Sequence, residues 1–181
     1  KICEGQKRDI NFEDRTDITT EEYLEMVGLK TGELLGLSCS LGAMIAQVEE
    51  SIVNSLYKFG KTLGQAFQIQ DDLLDFEGDE RETGKVMAQD LKEGIVTLPV
   101  ILLMEQEIYR DKYSAYNNST LDDKVAKNII SDVKNAGVLK ESRKILVVFV
   151  NRVKKYLAQL PENKAKRKLK KLIEVQMDRN F

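Results

Sequence analysis

From Tyr23 to Val48, apolar residues recur at spacings of three and four, and a second run of the same kind follows from about Glu50 to Phe76. No other feature limits the fold as much, because that spacing is the signature of a helix with an apolar stripe. Asp17-Ile18-Thr19-Thr20-Glu21-Glu22 supplies an N-cap threonine and an acidic first turn for the first helix. Gly32, Gly36 and Ser40 fall every fourth residue along it, as either a close helix-packing face or a cavity wall. Further helices are predicted from Thr97 to Met104 (with Pro99 in its early turns), from Leu121 to Asn135 after an N-cap Thr120, from Val138 to Leu160, and from Glu162 to Asn180. Gly137 and Pro161 separate the last three. No segment alternates convincingly with period two; Ile145 to Val150 is rich in β-branched residues but lies inside a longer helical pattern. The expectation is an all-α fold, an antiparallel helix bundle formed as one domain over residues 1–181.

Composition removes several chemistries. The chain has no histidine, which excludes His-dependent triads and dyads and every His-ligated metal site. Acid–base or metal chemistry must then rest on Asp, Glu, Lys, Tyr or an incoming group. Lys and Arg number 28 against 30 Asp and Glu, a net charge of −2 that gives no electrostatic case for nucleic acid. Cys3 and Cys39 form no CxxC pair, and both are expected as reduced thiols in a cytoplasmic protein. The longest uncharged stretch, Leu34 to Val48, is 15 residues, short for a membrane span of ~20. No signal peptide is visible, and the start at Lys1 suggests a piece of a longer protein.

The stretch that carries chemistry is Gly64-Gln65-Ala66-Phe67-Gln68-Ile69-Gln70-Asp71-Asp72-Leu73-Leu74-Asp75. On a helix, Asp71 and Asp75 lie about 40° apart and Gln68 about 60° from Asp71, with Asp72 on the flank. Like charges at i,i+4 cost ~0.2–0.5 kcal/mol even in solvent. The stripe follows the apolar approach Phe59 to Phe67, so it faces inward by expectation. A hard cation resolves that conflict: Mg²⁺ takes one or two carboxylates and leaves the rest of its shell to water and phosphate oxygens. A plain acidic helix end is the alternative. Gly84-Lys85 and Asp90-Leu91-Lys92-Glu93-Gly94 follow soon after, and a lysine on a glycine-flexible loop suits a phosphate ligand, or simply a solvated lysine.

These segments, through Thr97-Leu98-Pro99, resemble the second aspartate-rich region of the trans-isoprenyl diphosphate synthases, the head-to-tail prenyltransferases. Glu4-Gly5-Gln6-x-x-Asp9-Ile10 resembles the family's glycine–glutamine helix, and Tyr23 to Thr31 its lysine–threonine helix. Met177 to Phe181 resembles its usual terminus. The resemblance implies an all-α isoprenoid-synthase fold around a central cavity. It implies condensation of isopentenyl diphosphate with an allylic prenyl diphosphate by ionisation, condensation and elimination. Its implied cofactor is Mg²⁺, held by Asp71, Asp72 and Asp75. Lys30 and Lys85 would hold the allylic diphosphate, Thr31 and Gln68 would aim oxygen dipoles at the developing cation, and Gln6 would line the cavity. Singly, each has a bland alternative: Lys30 could snorkel, Thr31 could bond its own backbone, and Gln6 could be a surface residue. A homodimer is implied, with a heterodimer possible and at most peripheral contact with a membrane.

The sequence departs from the family pattern in two places. The family's first aspartate-rich motif is absent, so the chain resembles the C-terminal part of one synthase domain, expected to be inactive alone. Gly94-Ile95 stands where many members carry Gly-Lys. A non-catalytic regulatory or structural subunit of a heteromeric synthase is therefore the rival reading. A terpene cyclase fits Gly84-Lys85 and Thr97-Leu98-Pro99 poorly. Nine Lys or Arg lie between Arg152 and Lys171; they suit a solvated face better than a lipid-docking one, with Ala165, Leu169, Leu172, Ile173 and Gln176 expected to face the core.

Overall fold

A computed structural model describes residues 1–12, 15–77, 88–113 and 122–177. Its helices are α1 (Ile2–Phe12), α2 (Thr20–Val27), a π-helical turn (Gly28–Gly32), α3 (Glu33–Ile45), α4 (Glu50–Glu77), α5 (Gln89–Lys92), α6 (Leu98–Met104), α7 (Glu107–Tyr113), α8 (Asp123–Asn135), α9 (Val138–Ala158) and α10 (Lys164–Met177). No strand occurs among the described residues, and the fold is all-α as expected.

Local chemistry sets several boundaries. Thr19 accepts from the Glu22 amide while the Glu22 carboxylate accepts from the Thr19 amide, a capping box that starts α2. Asp122, not Thr120, caps α8 through the Val125 amide; Thr120 lies outside the described residues. Gly137, at φ +77°, makes the bend between α8 and α9, a backbone region that costs glycine little. The short α5 and α7 carry too little periodicity to be read from sequence.

The long helix expected from Tyr23 to Val48 is interrupted. A π-turn widens the backbone at Gly28–Gly32, so Lys30 and Thr31 sit on the wide turn. Beyond it, the packing face of α3 is the glycine face. A methyl group on Gly32 would stand 2.9 Å from the Lys61 carbonyl, and one on Gly36 3.0 Å from Tyr57. On α4, one on Gly60 would stand 2.4 Å from the Leu35 carbonyl. These pairs run in opposite directions along the chain, so α3 and α4 are antiparallel. Of the two readings of the small-residue stripe, close packing is the one observed. The apolar residues Leu34, Leu37, Leu41 and Met44 lie on the exposed side instead.

α4 is the central helix. Its Ala66, Ile69, Leu73 and Phe76 join six of the seven buried residues of α6, all but Pro99, in the main core with α2, α8 and α9. Phe59 and Leu63 build a second cluster with Val153, Leu157, Leu160 and Ile173. Each such fully buried aliphatic or aromatic side chain contributes ~1.5–3 kcal/mol. On α10 the core side is narrower than expected: Ile173 is buried and Leu169 packs against it, while Ala165 and Leu172 are exposed.

Candidate active site

The polar stripe of α4 opens onto a small cavity, about 30 Å³, whose lining includes Asp9, Lys30, Gln68, Asp72, Asp90 and Ile95. Five parts of the fold meet there: α1, α2, the π-turn, α4, and the segment from α5 to the start of α6. Their approach depends on missing side chains. A methyl group on Gly64 would stand 3.0 Å from the Gly32 Cα, so α4 and the π-turn come together backbone to backbone.

Lys30 donates to Asp9 Oδ2 at 2.5 Å, and the pair is part-buried. Gln6 is exposed and touches this arrangement only by donating to Asp9 at 3.4 Å; it is not among the residues that line the cavity. The Thr31 hydroxyl donates to Gln68 Oε1 across a long 3.5 Å, and Gln68 Nε2 donates to Asp72 Oδ1 at 3.1 Å.

The three acids of the motif have three different environments. Asp71 is exposed. Asp75 is half-buried: its Oδ1 accepts from the Gln89 amide at 3.1 Å, while its Oδ2 is enclosed and has no hydrogen-bond partner. Burial, then the nearby Asp90, push its carboxyl up to about 6, against the pull of the Gln89 and Asp90 amides. Asp72 is buried, 2% exposed, and accepts from the Tyr23 hydroxyl at 2.7 Å and the Leu98 amide at 2.9 Å in addition to Gln68. Burial raises its carboxyl to about 7 in spite of these donors. Asp72 thus lies in the core rather than on the flank of a shared stripe. Lys85 falls outside the described residues.

Among the described residues no three acidic or thiol side chains converge into a set able to hold a metal ion by themselves. The donors nevertheless fit a hard cation shared with a ligand. An enclosed, unpartnered Asp75 oxygen, the Asp90 charge that opposes its ionisation, and the exposed Asp71 one turn away gather anionic oxygens that a cation would relieve. Thr97 adds a buried hydroxyl without a partner beside the same cavity.

Tyr23 and Asp9 stand in the stretches that resemble the family's helices, and Asp90 in Asp90-Leu91-Lys92-Glu93-Gly94, but nothing in the sequence marks any of the three as part of the site. Tyr23 carries no local sign of its role, since its partner Asp72 lies 49 positions away.

The polyprenyl synthetase family model matches residues 1–135. The chain is 35% identical over 181 residues to a geranylfarnesyl diphosphate synthase of Natronomonas pharaonis, covering all of this chain and 52% of that protein. It is 34% identical over 172 residues to heptaprenyl diphosphate synthase component 2 of Geobacillus stearothermophilus, covering 95% and 53%. The crystal structure of a heptaprenyl diphosphate synthase from Staphylococcus aureus superimposes with a TM-score of 0.90 at 25% identity, over 99% of this chain and 57% of that one. A geranylgeranyl pyrophosphate synthetase of Geoglobus acetivorans does so with a TM-score of 0.81 at 32% identity, over 98% and 53%. The chain spans about half the length of the curated relatives it matches. Helix order, the cavity under α4 and these likenesses agree: the chain belongs to the polyprenyl synthetase family.

Proposed function

We propose that this chain is the C-terminal part of a trans-prenyl diphosphate synthase domain and supplies the second aspartate-rich half of its site. The whole enzyme would condense isopentenyl diphosphate with an allylic prenyl diphosphate. The observation that carries the reading is a cavity lined by Lys30, Gln68 and Asp72, with the enclosed, unpartnered Asp75 oxygen about one turn further along α4.

In this reading Asp71 and Asp75 present oxygens to Mg²⁺. When bound, the metal supplies neutralisation of the diphosphate leaving group. Lys30, released from Asp9, and Lys85 bind the allylic diphosphate oxygens. Breaking the allylic C–O bond leaves a cation on the prenyl chain, and the oxygens of Thr31 and Gln68 face it with their negative ends. The double bond of isopentenyl diphosphate attacks that carbon, and a proton then passes to the departing diphosphate. Gln6 acts at one remove, through Asp9. None of these steps needs the histidine that the chain lacks.

A second reading is a non-catalytic subunit that works with a catalytic partner. The sequence holds a single DDxxD stripe, and two curated relatives are named as component 2 of a heptaprenyl synthase. Assembly as a homodimer or with a different chain belongs to the same proposal. So does a cytoplasmic setting, in keeping with the two free cysteines; no described helix is long and apolar enough to cross a membrane.

Titration of the chain with farnesyl diphosphate, with and without Mg²⁺, tests the site. The expected result is Mg²⁺-dependent binding that Asp71→Ala abolishes without lowering the melting temperature, since Asp71 is exposed. Binding that ignores Mg²⁺, or ignores that substitution, overturns the reading. Condensation that appears only when a separate catalytic chain is added favours the subunit.

A further inference from the structure

We propose that Asp72 is a positioning residue rather than a magnesium ligand: with Tyr23 and the Leu98 amide it forms a buried clamp that sets which end of the Gln68 amide faces the site. The proposal rests on the prenyl diphosphate reading for its catalytic consequence and on geometry alone for the clamp.

Both oxygens of Asp72 are engaged, by donors from three parts of the fold. The Tyr23 hydroxyl comes from α2, the Leu98 amide from the first residue of α6, and Gln68 Nε2 from the preceding turn of α4. Tyr23 is 1% exposed and Asp72 2%. Turning Asp72 out to a cation would strand a buried phenol and a buried amide without partners. The clamp also replaces something missing. Thr97, at the N-cap of α6, makes no side-chain capping bond, and Asp72 satisfies the Leu98 amide from a different helix.

The consequence for Gln68 follows from hydrogen-bond chemistry. The ionised carboxylate only accepts, and in that form it draws the amide nitrogen of Gln68 toward Asp72, as the 3.1 Å bond from Nε2 to Oδ1 shows. That leaves Oε1 on the other side, toward Thr31. Asp72 thereby fixes an oxygen, not an NH₂ group, toward the place where positive charge would develop. The substitution Asp72→Asn would reverse this. The new side-chain carbonyl can still accept from Tyr23 and Leu98, but its NH₂ then meets Gln68, which turns over and presents its own NH₂ to the cavity.

The test uses the active assembly that contains this chain. Asp72→Asn is expected to leave the Mg²⁺ half-saturation and the KM for the allylic substrate unchanged while kcat falls roughly ten- to hundred-fold. Adding Gln68→Glu restores an oxygen toward the cavity and should recover part of kcat. Tyr23→Phe, a gentler change, should lower the melting temperature, and its effect should be non-additive with Asp72→Asn. A rise in Mg²⁺ half-saturation like that of Asp71→Ala, or additive melting effects, overturns the proposal. If the unaltered protein shows no Mg²⁺-dependent diphosphate binding, the functional reading fails instead, and the melting cycle still decides the clamp.

Discussion

Gly5 lies flat against the backbone of Lys30: a methyl group built on Gly5 would stand 2.4 Å from the Lys30 amide nitrogen and 2.8 Å from its Cα. α1 is therefore seated on the π-turn with no room for a side chain, and the seat fixes Lys30. In an ordinary helix interior Gly→Ala gains up to ~1 kcal/mol. Here the obstruction is backbone, which cannot swing aside, so the clash should win. Gly5→Ala is expected to lower the melting temperature by several degrees and to weaken farnesyl diphosphate binding. Gly42→Ala is the control, because a methyl group there meets nothing within 4 Å and should leave both unchanged or raise stability slightly. Differential scanning fluorimetry on the two variants decides.

The Lys30–Asp9 pair makes a second prediction. Lys30→Met removes the ammonium expected to hold diphosphate and strands Asp9, which is 16% exposed. Pyrophosphate binding in Mg²⁺ should fall by a charge-assisted hydrogen bond's worth, ~1.5–3 kcal/mol, with some loss of stability. Asp9→Asn frees Lys30 from a competing carboxylate and should tighten pyrophosphate. The double variant should regain stability without regaining affinity. Isothermal titration of the three variants separates binding from folding; equal affinity in Lys30→Met would remove Lys30 from the site.

The parts of this arrangement that sequence reveals are the local ones. The capping box of Thr19 and Glu22, the turn at Gly137 and the helical run of α4 each follow from residues within a few positions of one another. Periodicity shows that α3 has faces, but not which face is covered. The apolar Leu34, Leu37 and Leu41 looked like a core stripe, yet Gly32, Gly36 and Ser40 pack on α4 because only small residues allow that close approach. The π-turn adds one residue to a helical repeat and leaves no mark beyond Gly28 and Gly32. Asp72 looked like a partner of Asp71; its burial depends on Tyr23 and Leu98, 49 and 26 positions away, which no local pattern encodes. The motif identified the place of the chemistry, while the division of labour among its three acids is tertiary.

Ile95 offers a gain-of-function test. It lines the cavity with Lys30 and Asp90, and follows Gly94, which at φ +80° turns the chain there. If the cavity receives diphosphate, Ile95→Lys adds a cation beside it and should tighten pyrophosphate several-fold in Mg²⁺. Ile95→Leu should change nothing. Tighter binding that vanishes in high salt only for the lysine variant would confirm an electrostatic cause; no change would place the anion elsewhere.

Glu33 carries a prediction in pH. It is 9% exposed, and its oxygens accept from Lys61 at 2.6 Å, Tyr57 at 2.6 Å and Lys1 at 3.2 Å, tying α1, α3 and α4 together behind the π-turn. Burial alone would push its carboxyl up, but these donors outweigh it and hold it at about 2. An acid held below its unfolded value of 4.5 stabilises the folded state when ionised. That contribution is complete above about pH 5 and is lost as pH falls from there toward 2. Glu33→Gln should therefore cost roughly 2 kcal/mol at neutral pH, discounted for the water that still reaches Lys1 and Lys61. The gap between the two melting temperatures should close steadily as pH falls from 5 to 2, because over that window the unfolded form of the unaltered protein takes up a proton at Glu33 that the folded form does not, and the variant has no such group. A gap that stays constant with pH would mean that Glu33 acts by packing and neutral hydrogen bonds, and that its charge does not hold the three helices together.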